Sequence, residues 1–122
     1  MAALVNSSGM IPPTFSPIND VDMLDRLVEQ SHQAPVLLFL HAPHCPIGLT
    51  AFHEMARLDA EDPVMVIEVA HQRAISRAVE QRTGVRHESP QVIVLRGGEA
   101  VWDASHYDIT TETVSEALRA AA

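Results

Sequence analysis

The 122-residue chain contains no lysine, a single cysteine and no apolar run near the ~18–20 residues that a membrane helix needs. Without lysine, all eight basic residues are arginine, a feature of coding bias more than of function. They face 16 acidic residues, and the formal net charge is −8. That balance argues against a general nucleic-acid binder, which needs a basic face to displace counterions from phosphates. It also argues against docking on anionic membranes. A lone cysteine cannot close an internal disulfide, so the expected address is the cytoplasm, where thiols stay reduced. The first 19 residues lack a basic start and a continuous apolar block, and do not read as a signal peptide. No internal repeat is visible.

What is present suits one folded domain. Apolar residues make up 47% and charged residues 20%. Residues 1–18, rich in Ser, Gly and Pro, read as an irregular arm, and residues 19–122 as the domain. Asp20 to Gln33 carries Val21, Leu24, Leu27 and Val28 at helical spacing, with Asn19 or Asp20 as N-cap. Val36 to Leu40 is an unbroken apolar run, the pattern of a strand buried on both faces. A proline-flanked turn, Ala42-Pro43-His44-Cys45-Pro46, then opens a helix to about Asp59, with Leu49, Phe52 and Ala56 inward. Val64 to Val69 is a second strand. A helix from about Gln72 places Ile75, Ala78 and Val79 inward and stops at Gly84. Gln91 to Leu95 is a third strand, and Gly97-Gly98 a hairpin turn into Ala100-Val101-Trp102. Thr110 caps a final helix carrying Val114, Ala117 and Leu118.

The order α-β-α-β-α-β-β-α gives two right-handed strand–helix–strand units and a closing antiparallel hairpin. The expected fold is therefore α/β: a thioredoxin-like three-layer sandwich around a four-stranded mixed sheet, with an extra N-terminal helix. Fold order alone does not give a function.

Cys45 falls where the first of these strands turns into a helix. There a thiolate meets exposed N–H groups and the positive end of the helix dipole. Pro43 and Pro46 stiffen the turn, and His44 is adjacent. Gly48 occupies the place where a two-cysteine redox loop has its second cysteine. A disulfide to Cys45 is therefore mixed and is resolved by another molecule. Such a setting favours a thiol that accepts a small cap and gives it up again. The plainer alternative is a buried, inert cysteine. Farther along, Ser89-Pro90 precedes a buried strand. Proline belongs there at a strand's first residue, and in thioredoxin-like folds it is cis and faces the cysteine. Ser89 then offers its backbone N–H and C=O to an extended thiol ligand.

Three segments together resemble the YtxJ-like monothiol bacilliredoxins of the bacillithiol system. They are Gly84-Val85-Arg86-His87-Glu88-Ser89-Pro90-Gln91, Gly98-Glu99-Ala100-Val101-Trp102 and Ala104-Ser105-His106-Tyr107-Asp108-Ile109-Thr110. The Cys45-Pro46-Ile47 turn is also similar to that family's, and the likeness spans roughly residues 20 to 118. It implies removal of bacillithiol from mixed disulfides on cytosolic client proteins. Cys45 would be the nucleophile and another low-molecular-weight thiol the resolving partner. Many members carry Ser where this chain has Gly48, and a small or hydroxyl residue where it has His44.

The resemblance leaves several roles open. His87 and Glu88 either line the groove for the thiol cap or form a hydrogen-bonded loop that holds the proline; Arg86 could meet the cap's carboxylates. By analogy with glutaredoxins, the Ser105-His106-Asp108 turn could hold the sugar or malate part of bacillithiol. His106 is the better ligand candidate there and Asp108 the better helix cap. The candidate binding set is thus His44, Pro46, Ile47, Gly48, His87, Glu88, Ser89, Pro90 and His106. A metal reading of His41, His44, Cys45 and His53 is weak, because a strand end and a point two turns into a helix do not converge on one ion. Two rivals stand beside the main expectation: an exchanger using glutathione or coenzyme A, and a non-catalytic thioredoxin-like adaptor.

Overall fold

The computed structural model describes residues 12–122. Two long apolar strands, β2 (Val36–His41) and β4 (Gln91–Arg96), form the middle of the sheet, and every residue of β2 after Val36 is buried. The remaining elements in chain order are β1 (Phe15–Pro17), α1 (Val21–Gln30), α2 (Pro46–Ala56), β3 (Val64–Glu68), α3 (Arg73–Thr83), β5 (Glu99–Ser105), a 3-10 turn (His106–Asp108) and α4 (Thr111–Ala121). The sheet order is β1-β3-β2-β4-β5. Strands β1, β3 and β2 run parallel; β4 is antiparallel to β2 and β5 to β4.

The sheet has five strands, not the four expected. The extra one comes from the end of the expected irregular arm, where Phe15–Pro17 pairs with Val64–Val66. Its Phe15 ring is buried and meets Phe52 edge-on at 5.0 Å and Phe39 at 6.2 Å. Pro17 is tolerated because an edge strand needs no donor on its outer side.

Strand alternation divides the core in two. Leu37 and Phe39 join Val64, Val66, Val92 and Val94 beneath α2 and α4. Leu38 and Leu40 join Ile67, Ile93 and Leu95 beneath α1 and α3. Each fully buried side chain of this kind contributes about 1.5–3 kcal/mol. The helix ends follow their chemistry. Asp20 caps α1 by accepting from the Met23 N–H at 2.7 Å. Thr110 caps α4 in a reciprocal pair with Thr113. Gly97 and Gly98, with φ of +66° and +81°, make the two-residue hairpin turn, which requires positive φ at both places.

One helix face differs from expectation. In α2 the buried residues are Gly48, Ala51, Phe52 and Met55, while Leu49 is 45% exposed. Thr50, His53 and Glu54, at helical spacing, mark the outer side, and Leu49 lies beside them.

The parallel and antiparallel pairings bring four chain segments to one end of the sheet: the exits of β2, β3 and β5 and the entrance to β4. The candidate residues gather there.

Candidate functional site

Cys45 is the N-cap residue of α2, with Pro46 as the first helical residue. Its carbonyl accepts the Leu49 N–H at 3.0 Å, and its own N–H donates to the Ala42 carbonyl at 3.3 Å. No side chain caps this helix end. The cysteine is half-buried, His44 and Pro46 are exposed, and Ile47 is partly covered.

Gly48 is buried, and its backbone lies against Ala42. A Cβ at this position would overlap the Ala42 carbonyl oxygen and stand 3.0 Å from its carbon. The same carbonyl that accepts the Cys45 N–H therefore closes position 48 to any side chain. Gly48, expected in the binding set, lies in the first turn of α2 and is buried beneath the cysteine turn.

The Ser89–Pro90 peptide is cis. Leu40 pairs with Gln91 across β2 and β4, so the next pair outward is His41 and Pro90, at the root of the cysteine turn. Pro90 is buried and Ser89 partly so. Among the described residues, no backbone hydrogen bond outside helices and strands involves the N–H or C=O of Ser89. The loop before it is held by side chains. Buried Gln91 donates from its amide to the Arg86 carbonyl at 3.0 Å and accepts the Glu88 N–H at 3.3 Å. His87 bridges two hydroxyls, with Nδ1 3.1 Å from Ser76 Oγ on α3 and Nε2 3.2 Å from Ser89 Oγ. Glu88 accepts from Ser105 Oγ at 3.1 Å. Here His87 and Glu88 act as loop braces, while both remain exposed.

The turn after β5 closes the site from the other side. The His106 N–H donates to the Pro90 carbonyl at 3.1 Å, and His106 takes a φ of +54°, the left-handed region seldom used outside glycine. His106 is thus joined directly to the cis-proline segment. Asp108 does not cap α4 with its side chain; its carbonyl accepts from Thr113 Oγ1 at 3.0 Å, and Thr110 is the cap.

Glu54 anchors α2 to α4. Its carboxylate accepts the Thr111 N–H at 2.8 Å and the Thr111 hydroxyl at 2.9 Å. These bonds, the backbone one foremost, hold its carboxyl below the usual carboxylate range.

The histidines near the cysteine do not converge. The His41 ring is buried between Phe39 and Phe52, at 5.3 and 5.1 Å, while His44 and His53 are exposed. Among the described residues, no group of three or more His, Cys, Asp or Glu could hold a metal ion. Sequence reasoning missed Gln91 as the brace of the loop. The available signal was an amide side chain opening an otherwise apolar buried strand. It also missed Ser76 and Glu54, whose partners are distant in sequence and leave no local pattern.

The profile of the family described as Monothiol bacilliredoxin BrxC matches residues 16–114. Among solved structures, a thioredoxin-fold chain superposes with a TM-score of 0.78 at 25% identity, over 85% of this chain and 93% of that one. A thioredoxin variant from Halobacterium salinarum NRC-1 matches with a TM-score of 0.64 at 17% identity, over 90% and 92%. The thioredoxin of Fasciola hepatica matches at 0.68 and 11%, over 87% and 98%. These likenesses establish the thioredoxin fold. Among the described residues, no helix is long and apolar enough to cross a membrane.

Proposed function

Because the chain belongs to the monothiol bacilliredoxin family, whose chemistry is thiol–disulfide exchange, we propose that it removes bacillithiol from mixed disulfides on cytoplasmic client proteins. Cys45 is the nucleophile. Its thiolate attacks the bacillithiol sulfur; the bond to the client sulfur breaks, and the client thiolate leaves and takes a proton. Cys45 then carries bacillithiol as a mixed disulfide. A second low-molecular-weight thiol attacks the bacillithiol sulfur, releases Cys45 and leaves as the small disulfide. Each step exchanges one S–S bond for another, and the reducing electrons come from the second small thiol.

The observation that carries this reading is the closed position at Gly48. The chain has one cysteine, and the Ala42 carbonyl fills the place from which a second thiol in the turn would act. A cap on Cys45 therefore persists until an external thiol meets it. The cis-proline segment supports the same reading. In it Ser89 can pair with an extended ligand as one more strand would.

Intact-mass analysis tests the proposal. Reduced protein is mixed with a bacillithiol-capped client, with Cys45→Ser and a glutathione-capped client as controls. The expected result is transfer of the bacillithiol mass onto Cys45, its loss from the client, no transfer in the variant and a slower reaction with glutathione. Equal or faster glutathione transfer overturns the choice of thiol. No transfer from either client overturns the exchange mechanism and leaves an adaptor role.

A further inference from the structure

Arginines carry all the fixed positive side-chain charge of this acidic chain, and three of them are committed. Arg57 pairs with Glu54 and Arg82 with Asp25, while Arg96 donates to the carbonyls of Ser31, His32 and Ala121. Arg73 and Arg77 are exposed, and among the described residues neither makes a hydrogen bond or ion pair.

Their placement runs against helix electrostatics. Arg73 is the first residue of α3, the end at which a helix favours anions. No acidic residue occupies that first turn, and no side chain caps it. Gln72, at the N-cap, is engaged elsewhere: it accepts the Glu68 N–H at 2.9 Å and donates to the Ile18 carbonyl at 2.7 Å. Arg77 lies four residues on, so two like charges share one helix face and repel. A local rule broken without a compensating contact in the fold points to a ligand that supplies the compensation.

Both arginines line one cavity of about 320 Å³, together with Val69, Ser76, Glu80 and His87. Glu80 is its single carboxylate, leaving an excess of positive charge from the two guanidinium groups. The cavity borders both chain segments of the candidate site. Val69 donates its N–H to the His41 carbonyl at 3.2 Å, at the root of the cysteine turn. His87 links Ser76 to Ser89, the residue before the cis-proline. Planar guanidinium forks suit carboxylates, which they bind by paired charge-assisted hydrogen bonds.

We propose that this cavity takes the carboxylate-bearing end of the small thiol exchanged at Cys45, with Arg73 and Arg77 as its ligands. The assignment rests on the exchange function proposed above and specifies which thiols the site accepts. Charged thiols are held at both ends, at the sulfur and at the carboxylate, while uncharged thiols are held at the sulfur alone.

The test has two parts, so that failure of the site and failure of the exchange reading are distinguishable. In the first, reduced protein is titrated with L-malate at constant ionic strength and followed by NMR, with inorganic phosphate as a second probe. Saturable malate shifts at the amides of Ala70, Arg73, Ser76 and Arg77, lost in an Arg73→Gln/Arg77→Gln variant that melts like the parent, are expected. Absent or variant-insensitive shifts overturn the site, and phosphate saturating in preference to malate overturns its carboxylate assignment. In the second, cap transfer is timed from clients carrying bacillithiol or 2-mercaptoethanol. The variant should slow bacillithiol transfer about tenfold, the loss of roughly one charge-assisted contact, and leave 2-mercaptoethanol transfer within about twofold. Equal slowing of both caps overturns the proposal. If malate binds the arginines but the wild-type protein transfers neither cap, the exchange reading falls and the carboxylate site stands.

Discussion

At the scale of single residues, Gly48 is the most constrained position in the turn. Gly48→Ala should destabilise the protein by about 1–3 kcal/mol, the usual cost of forcing a methyl group into filled space, here against a backbone carbonyl that also holds the Cys45 N–H. Thermal melts of the two proteins check this, and an unchanged melting temperature would show that Ala42 moves aside freely. The position of Cys45 at the N-cap of α2 was legible in the sequence because it depends on neighbours in the chain: a cysteine followed by proline where a strand meets a helix. The crowding at Gly48 was not legible. It depends on the direction of one carbonyl six residues upstream, which no residue type encodes.

At the scale of elements, the contact between α2 and α4 sets a pH dependence. The Glu54 carboxylate occupies the first turn of α4, where it satisfies a free N–H and meets the positive end of that helix. A carboxyl whose folded value is depressed stabilises the fold above its ordinary value of 4.5 and loses that contribution as pH falls through the folded value. Glu54→Gln should therefore cost about 1 kcal/mol at pH 7, and the gap between the two melting temperatures should close under acid conditions. Melts from pH 7 down to pH 3 check both halves. Strand and helix order was readable from apolar periodicity, and Asp20, Gly84 and Thr110 marked helix ends through their own chemistry. Strand β1 was hidden because its three residues include a serine and a proline, and only tertiary pairing with β3 makes them a strand. The inner face of α2 was set wrongly at Leu49, which lies beside Thr50 and His53 on the outer side that the polar residues mark, while Phe52 was placed correctly.

At the scale of the whole molecule, the two ends of the sheet do different work. The end holding Cys45 presents the cis-proline, His106 and the unpaired arginines. At the opposite end Arg96 fastens the exit of α1 to the exit of α4 through the Ser31, His32 and Ala121 carbonyls. Acidic side chains also crowd one another at that far end, in the loop between α2 and β3. Burial first, then repulsion from Asp59 and Glu61, pushes the Asp62 carboxyl above its ordinary value of 3.8, with Arg119 opposing. A carboxyl with a raised folded value weakens the fold when ionised, and that penalty disappears as pH falls below the ordinary value. Asp62→Asn should therefore stabilise the protein by about 0.5 kcal/mol at neutral pH and make no difference near pH 3. Denaturant titrations at the two pH values check the sign. An acidic net charge was plain in the sequence, but its partition between the ends required the fold.

The closure of position 48 also bears on how many thiols the turn can hold. A Gly48→Cys replacement would set a second thiol three residues after Cys45. In the folded chain that side chain meets the Ala42 carbonyl. As folded here, the Cys45 turn therefore admits one thiol, and a side chain at position 48 requires the Ala42 peptide to move.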